Sequence, residues 1–131
     1  MMPNTPAKNV ENLPLTPAVF NILLALIDGE KHGYAIMLEV ETNTNGEVKM
    51  GPGTLYGSIK RMLEAGLIEE SGERPDPQLD DQRRRYYRLT GAGQRALKAE
   101  AERLARQVTI ARMKQVLEFA ARGGCHAIKV A

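Results

Sequence analysis

The 131-residue chain holds one cysteine, Cys125, no tryptophan, two phenylalanines and four tyrosines. A single cysteine excludes an internal disulfide, and no Cys/His set has metal-ligand spacing. No apolar run exceeds Ile22 to Ile27, against the roughly 18 residues that a membrane-spanning helix needs. The opening stretch MMPNTPAKNVENLP lacks the apolar centre of a secretory signal and is too acidic and proline-rich for a transit peptide. There is no carboxylate pair, Ser/His/Asp set or phosphate loop, and Gly51-Pro52-Gly53-Thr54 is too short and lacks the P-loop lysine. Together these absences argue against an enzyme, a cofactor or a resident metal. They point to a soluble, cytoplasmic domain with one core and one additional element.

What is present is an uneven distribution of charge. The formal net charge is only +2. Between Asp28 and Asp81, however, twelve acidic residues face five basic ones, and between Arg83 and Arg122 eleven basic face three acidic. The basic half suits an anionic partner, although a long solvated helix has the same signature.

Residues 1–14 carry prolines and no periodicity, which predicts a flexible arm. Thr16-Pro17 opens a helix, with Thr as cap and Pro at the first helical position. Phe20, Leu23, Leu24 and Ile27 suggest its apolar face, and Asp28-Gly29 its end. A second helix is expected from Gly33 to Val40 or Thr42, closed by Asn43-Thr44-Asn45-Gly46. A third follows Gly51-Pro52-Gly53 and runs to Ala65-Gly66 on the stripe Leu55, Ile59, Met62 and Leu63. Two strands come next, 67–71 and 84–89, joined by a long tip over 74–82. Thr90 caps a last helix over 91–122, leaving 123–131 as a frayed tail. The fold class is therefore mostly α with a small β-hairpin: a winged helix-turn-helix over 15–90 plus a long C-terminal helix. The last helix carries Leu97, Ala101, Leu104 and Val108, then Ile110, Met113 and Leu117, at spacings of three and four. Such a stripe predicts a homodimer contact.

On the third helix Thr54, Gly57, Lys60 and Arg61 turn away from the apolar stripe, with Tyr56 and Ser58 at the flanks. Hydroxyls, two cations and a glycine suit a major groove, where Lys or Arg addresses guanine or phosphate. Gly53 and Thr54 offer free N–H groups to a phosphate at the helix start. Arg83 and Arg84, at the base of the hairpin tip, suit the minor groove or its phosphates. His32 reads first as a helix cap, with phosphate contact or pH sensing as the functional alternative. Cys125-His126 reads as an inert pair.

Four motifs occur in order: His32-Gly33-Tyr34-Ala35-Ile36; Gly53-Thr54-Leu55-Tyr56; Arg61-Met62-Leu63-Glu64-Ala65-Gly66-Leu67-Ile68; and Arg84-Arg85-Tyr86-Tyr87-Arg88-Leu89-Thr90 with Gly93. In these the chain resembles the PadR-like transcriptional regulators from about Leu15 to Leu104, in the short form with a single C-terminal helix. The resemblance implies a winged-helix repressor, dimeric through that helix, binding double-stranded DNA at an inverted-repeat operator near its own or a neighbouring gene. It places Tyr34, Thr54, Tyr56, Lys60 and Arg84 at DNA-facing positions and Leu55 and Tyr87 in the core. Some short members hold flat aromatic compounds between subunits against an aromatic side chain of the last helix. Here Leu104 occupies that stretch and Phe119 is the only aromatic after Tyr87. The expectation is instead a small apolar effector between Leu104, Val108 and the first helices. The competing reading is a winged-helix protein-interaction module without DNA binding, favoured by the acidic run around the third helix.

Overall fold

The computed structural model describes residues 14–75 and 83–117. The hairpin tip over 76–82, the arm over 1–13 and everything from 118 onward lie outside the described residues. The elements run α1 (Pro17–Leu26), β1 (Lys31–His32), α2 (Gly33–Asn43), α3 (Pro52–Glu64), β2 (Ile68–Pro75), β3 (Arg83–Leu89) and α4 (Gly91–Met113). Three helices, a hairpin and a long last helix match the expected layout. The sheet, however, has three strands in the order β1-β3-β2. The short β1, paired through Lys31 with Tyr87 and His32 with Tyr86, has no sequence signal. Two residues are too few to show alternation, and pairing with β3 creates the strand.

Local chemistry sets each boundary. Thr16 Oγ1 accepts from Val19 N–H at 3.2 Å, with Pro17 at the first helical position. α1 nevertheless buries Ile22, Leu23, Ala25 and Leu26, while Leu24 and Ile27 of the expected face are exposed and Phe20 is half-buried. The helix is apolar on nearly every side, so periodicity cannot fix its phase. Lys31 holds its C-terminal end, donating to the Ala25 carbonyl at 2.7 Å and Asp28 at 2.6 Å, with Glu39 of α2 at 3.5 Å.

α3 ends in a Schellman turn. Leu67 N–H donates to Met62 O, Gly66 N–H donates to Leu63 O, and Gly66 takes φ +78°. Leu55, Ile59 and Met62 are buried as expected, and they meet Ile22, Ile36, Leu67, Ile68, Tyr87, Ala96 and Leu97 in one core. Thr90 couples this corner to α4: its hydroxyl accepts from Gly93 N–H at 3.0 Å and donates to Gly66 O at 2.5 Å. Gly93 lies so close to the Leu67 carbonyl that a β-carbon would overlap it.

The hairpin is longer than expected, with β2 reaching Pro75 and β3 starting at Arg83. A bulge between Glu70 and Gly72 lets the ladder continue past the irregular sequence. α4 is shorter than the expected 91–122. It closes in a second Schellman turn, with Val116 N–H on Ala111 O, Gln115 N–H on Arg112 O, and Gln115 at φ +65°. A non-glycine residue there carries a penalty of about 1–2 kcal/mol, and no glycine or proline announces the stop. Leu97, expected in the dimer contact, is only 6 % exposed within its own domain. It belongs to the core, because α4 packs back on α1 and β3 over its first turns. No helix among the described residues is long and apolar enough to cross a membrane.

Candidate nucleic-acid interface

α3 begins at Pro52 with Gly51 as its cap and no side-chain cap bond. The amides of Gly53 and Thr54 are therefore left without intrahelical acceptors at the positive end of the helix. Thr54, Tyr56, Lys60 and Arg61 are all exposed, and Gly57 is half-buried. Ser58, expected at a flank, is buried and accepts from Arg61 at 3.3 Å. The exposed face thus divides. Arg61 leans over Ser58 toward α1, where it lines a 210 Å³ groove with Leu15, Val19 and Met62. Lys60 and Tyr56 lie on the opposite flank, toward α2 and the sheet.

Tyr56 ties α3 to α2, because its ring packs on Gly33, leaving no room there for a β-carbon. Tyr34, one residue on, is 49 % exposed, and Tyr56 is 48 % exposed. The Arg84 guanidinium lies over the Tyr34 ring, 5.2 Å from its centre, and contacts His32 Nδ1 at 3.0 Å. The His32 ring meets Tyr86 edge-on, with centroids 5.3 Å apart. Behind them Tyr87 is buried, and burial, together with Tyr56 and Glu70, pushes its hydroxyl above the usual tyrosine range. The structure therefore brings Tyr34, Tyr56 and Arg84 onto one surface joining α2, α3 and the hairpin. Gly53, Thr54, Gly57 and Lys60 continue it along α3, and Arg61 stands apart.

Sequence reasoning missed three features of this surface. Arg85 is held by Glu73 at 3.3 Å and Glu70 at 3.7 Å, and Arg88 by Glu69 at 2.7 Å. These cations are matched within the hairpin, and the register of Glu69, Glu70 and Glu73 opposite the arginines was the available signal. Glu64 is exposed at the end of α3, within a turn of Lys60 and Arg61, so an acid borders the only two cations of the helix. Lys49, exposed in the loop entering α3, adds a cation before the helix start. The side chain of Arg83 lies outside the described set. Among the described residues no group of three or more His, Cys, Asp or Glu could hold a metal ion.

The model of the transcriptional regulator PadR-like family matches residues 22–99. A Streptomyces fradiae protein, an uncharacterised 37.1 kDa product of a transposon, is 38 % identical over 85 residues. That match spans 65 % of this chain and only 22 % of the longer protein. Among solved structures, a transcriptional regulator from Clostridium thermocellum aligns with a TM-score of 0.59 and 25 % identity, covering 72 % of this chain and 89 % of that one. A PadR family regulator from Clostridium difficile gives 0.62 at 23 %, covering 76 % and 98 %. Bacillus subtilis PadR, solved in complex with operator DNA, gives 0.56 at 18 %, covering 71 % and 58 %. The winged helix-turn-helix, the order of motifs and the family match over most of the described residues agree: the chain belongs to the PadR-like family of transcriptional regulators.

Proposed function

We propose that the chain is a dimeric repressor that binds a specific inverted repeat in double-stranded DNA. The observation that carries this reading is the continuous surface formed by α3 and the Arg84–Tyr34 pair. It unites free helix N-terminal amides, hydroxyls, Lys60 and a stacked arginine. Bacillus subtilis PadR, which shares the fold, was solved on operator DNA, and the proposal carries that partner to this chain. Thr54, Tyr56, Gly57 and Lys60 enter the major groove, the Gly53 and Thr54 amides meet a phosphate, and Arg84, with Arg83 beside it, meets the flanking backbone. Arg61 is assigned to the edge of the contact, because its guanidinium leans toward α1.

The second copy is argued from apolar surface. Leu24 and Ile27 of α1 and Leu104, Val108, Ile110 and Met113 of α4 are exposed in one chain, Met113 by 74 %. Residues 15–90 then form the DNA-binding unit, and Ala101 through Leu117 supply the α4 part of the dimer contact. A small apolar effector fits this scheme between Leu104 and Val108 and a first helix, at a site that two copies complete.

Selection from random duplex DNA, followed by fluorescence anisotropy against competitor, tests the reading. The expected winner is an inverted repeat with half-sites about 34 Å apart. No enrichment by folded, dimeric protein transfers the assignment to the interaction-module alternative, which the carboxylates Glu64, Glu69, Glu70 and Glu73 favour.

A further inference from the structure

His32, half-buried, touches three parts of the candidate interface. Its Nδ1 accepts from the Ala35 N–H at 3.1 Å, capping α2, and contacts Arg84 Nη1 at 3.0 Å. A backbone amide and a guanidinium can only donate. Nδ1 is therefore an unprotonated acceptor, and the ring is the neutral tautomer with its proton on Nε2. The same imidazole meets Tyr86 edge-on, and the arginine it holds lies over Tyr34. One nitrogen thus touches both the start of α2, where Tyr34 stands, and the Arg84 guanidinium.

We propose that His32 is a positioning residue for DNA binding: its neutral imidazole aims Arg84 at the phosphate backbone, and protonation of Nδ1 releases that arginine. This rests on the DNA-binding reading above. A proton on Nδ1 removes the acceptor for both bonds and sets a positive ring against Arg84. Among the groups around the ring are Arg84 and Tyr86 of β3, Tyr34 of α2 and, across Gly33, Tyr56 of α3, with the charged Glu30 and Lys31 just before it in the chain. Lys31 is itself engaged by Asp28 and Glu39. Acidification ordinarily strengthens protein–DNA association, because added positive charge attracts phosphate. The proposal requires the opposite sign, which makes it discriminating.

Asparagine is the informative replacement. Its Oδ1 stands near the position of His Nδ1, keeps an acceptor for Ala35 and Arg84, and cannot be protonated in this range. Operator affinity and its salt slope are measured by anisotropy at about pH 8 and about pH 5.5, bracketing ordinary imidazole titration. The proteins are wild type, His32→Asn, His32→Ala, Arg84→Ala and the His32→Ala/Arg84→Ala pair. At pH 8, His32→Ala is expected to lose about tenfold in affinity and to flatten the salt slope of the dimer by about 1.8, the weight of one phosphate in each half-site. Arg84→Ala should match it, the pair should lose no more than either alone, and His32→Asn should recover most of the loss. On acidification the wild type weakens relative to His32→Asn. His126 is present in all these proteins, so its titration cancels from the comparison. Identical pH profiles for wild type and His32→Asn, or additive losses in the pair, overturn the positioning role while leaving DNA binding intact. A long-range proton–nitrogen spectrum of the free protein provides a second readout, with His32 expected as the Nε2–H form at pH 8. Wild type that shows this tautomer yet binds no selected duplex overturns the DNA-binding reading itself, and the proposal with it.

Discussion

Two glycines separate recognition from stability at the scale of single residues. At Gly33 an added β-carbon would meet the ring of Tyr56, which is half-exposed and free to swing outward. Gly33→Ala should leave the melting temperature within a few degrees, because the atoms in its way belong to the far end of the Tyr56 side chain rather than to backbone. Operator affinity should fall as Tyr56 leaves its place, and circular dichroism with anisotropy on the same sample checks both. At Gly93 the obstacle is the backbone carbonyl of Leu67, which cannot step aside. Gly93→Ala should cost about 2–3 kcal/mol, read as a lower urea midpoint with an unchanged denaturant slope. Single positions were legible in the sequence where chemistry is local: Thr16, Thr90 and His32 all cap the helices they precede. Ser58 and Arg61 were not, since the angular pattern of α3 leaves open which flank turns toward α1 and draws the arginine over the serine.

Among the elements, α4 shows how a helix can be fastened at one end and exposed at the other. Its early turns bury Gly93, Ala96, Leu97 and Glu100. Glu100 is buried and paired with Arg103 at 2.5 and 3.0 Å. Arg103 first, and then the Leu15 amide, hold its carboxyl below the ordinary value of 4.5, against the opposing effect of burial. A lowered acid contributes stability that is present above its unfolded value and lost as pH falls through its folded one. Thermal melts from about pH 6 to pH 3 should therefore show a steeper acid loss below 4.5 for the wild type than for Glu100→Gln. At neutral pH the variant should be less stable by about 1–3 kcal/mol. The order and type of the major elements were readable from caps and periodicity. The limits of the hairpin and of α4 were not: a bulge prolongs β2, and Gln115 stops α4 without a glycine. The phase of α1 was hidden by its lack of a polar side.

For the whole molecule, the exposed apolar residues of α1 and α4 argue that the working unit is a pair. Leu104→Glu combined with Val108→Glu should leave the fold intact, because both side chains are exposed in the single chain. It should shift sedimentation to the monomer and weaken operator binding by the loss of the second half-site; a variant that still sediments as a dimer removes these positions from the contact. On the DNA-binding reading, the paired arginines of the hairpin bear on a different quantity. Arg85 and Arg88 already face Glu70, Glu73 and Glu69, so fewer hairpin cations remain to hold random sequence. A genome offers on the order of 10⁶–10⁹ competing sites, and the molecules detained there determine how many copies a cell must synthesise to keep one promoter occupied. Carboxylates across from those arginines lower that number, so a small pool of protein suffices to keep one specific site filled.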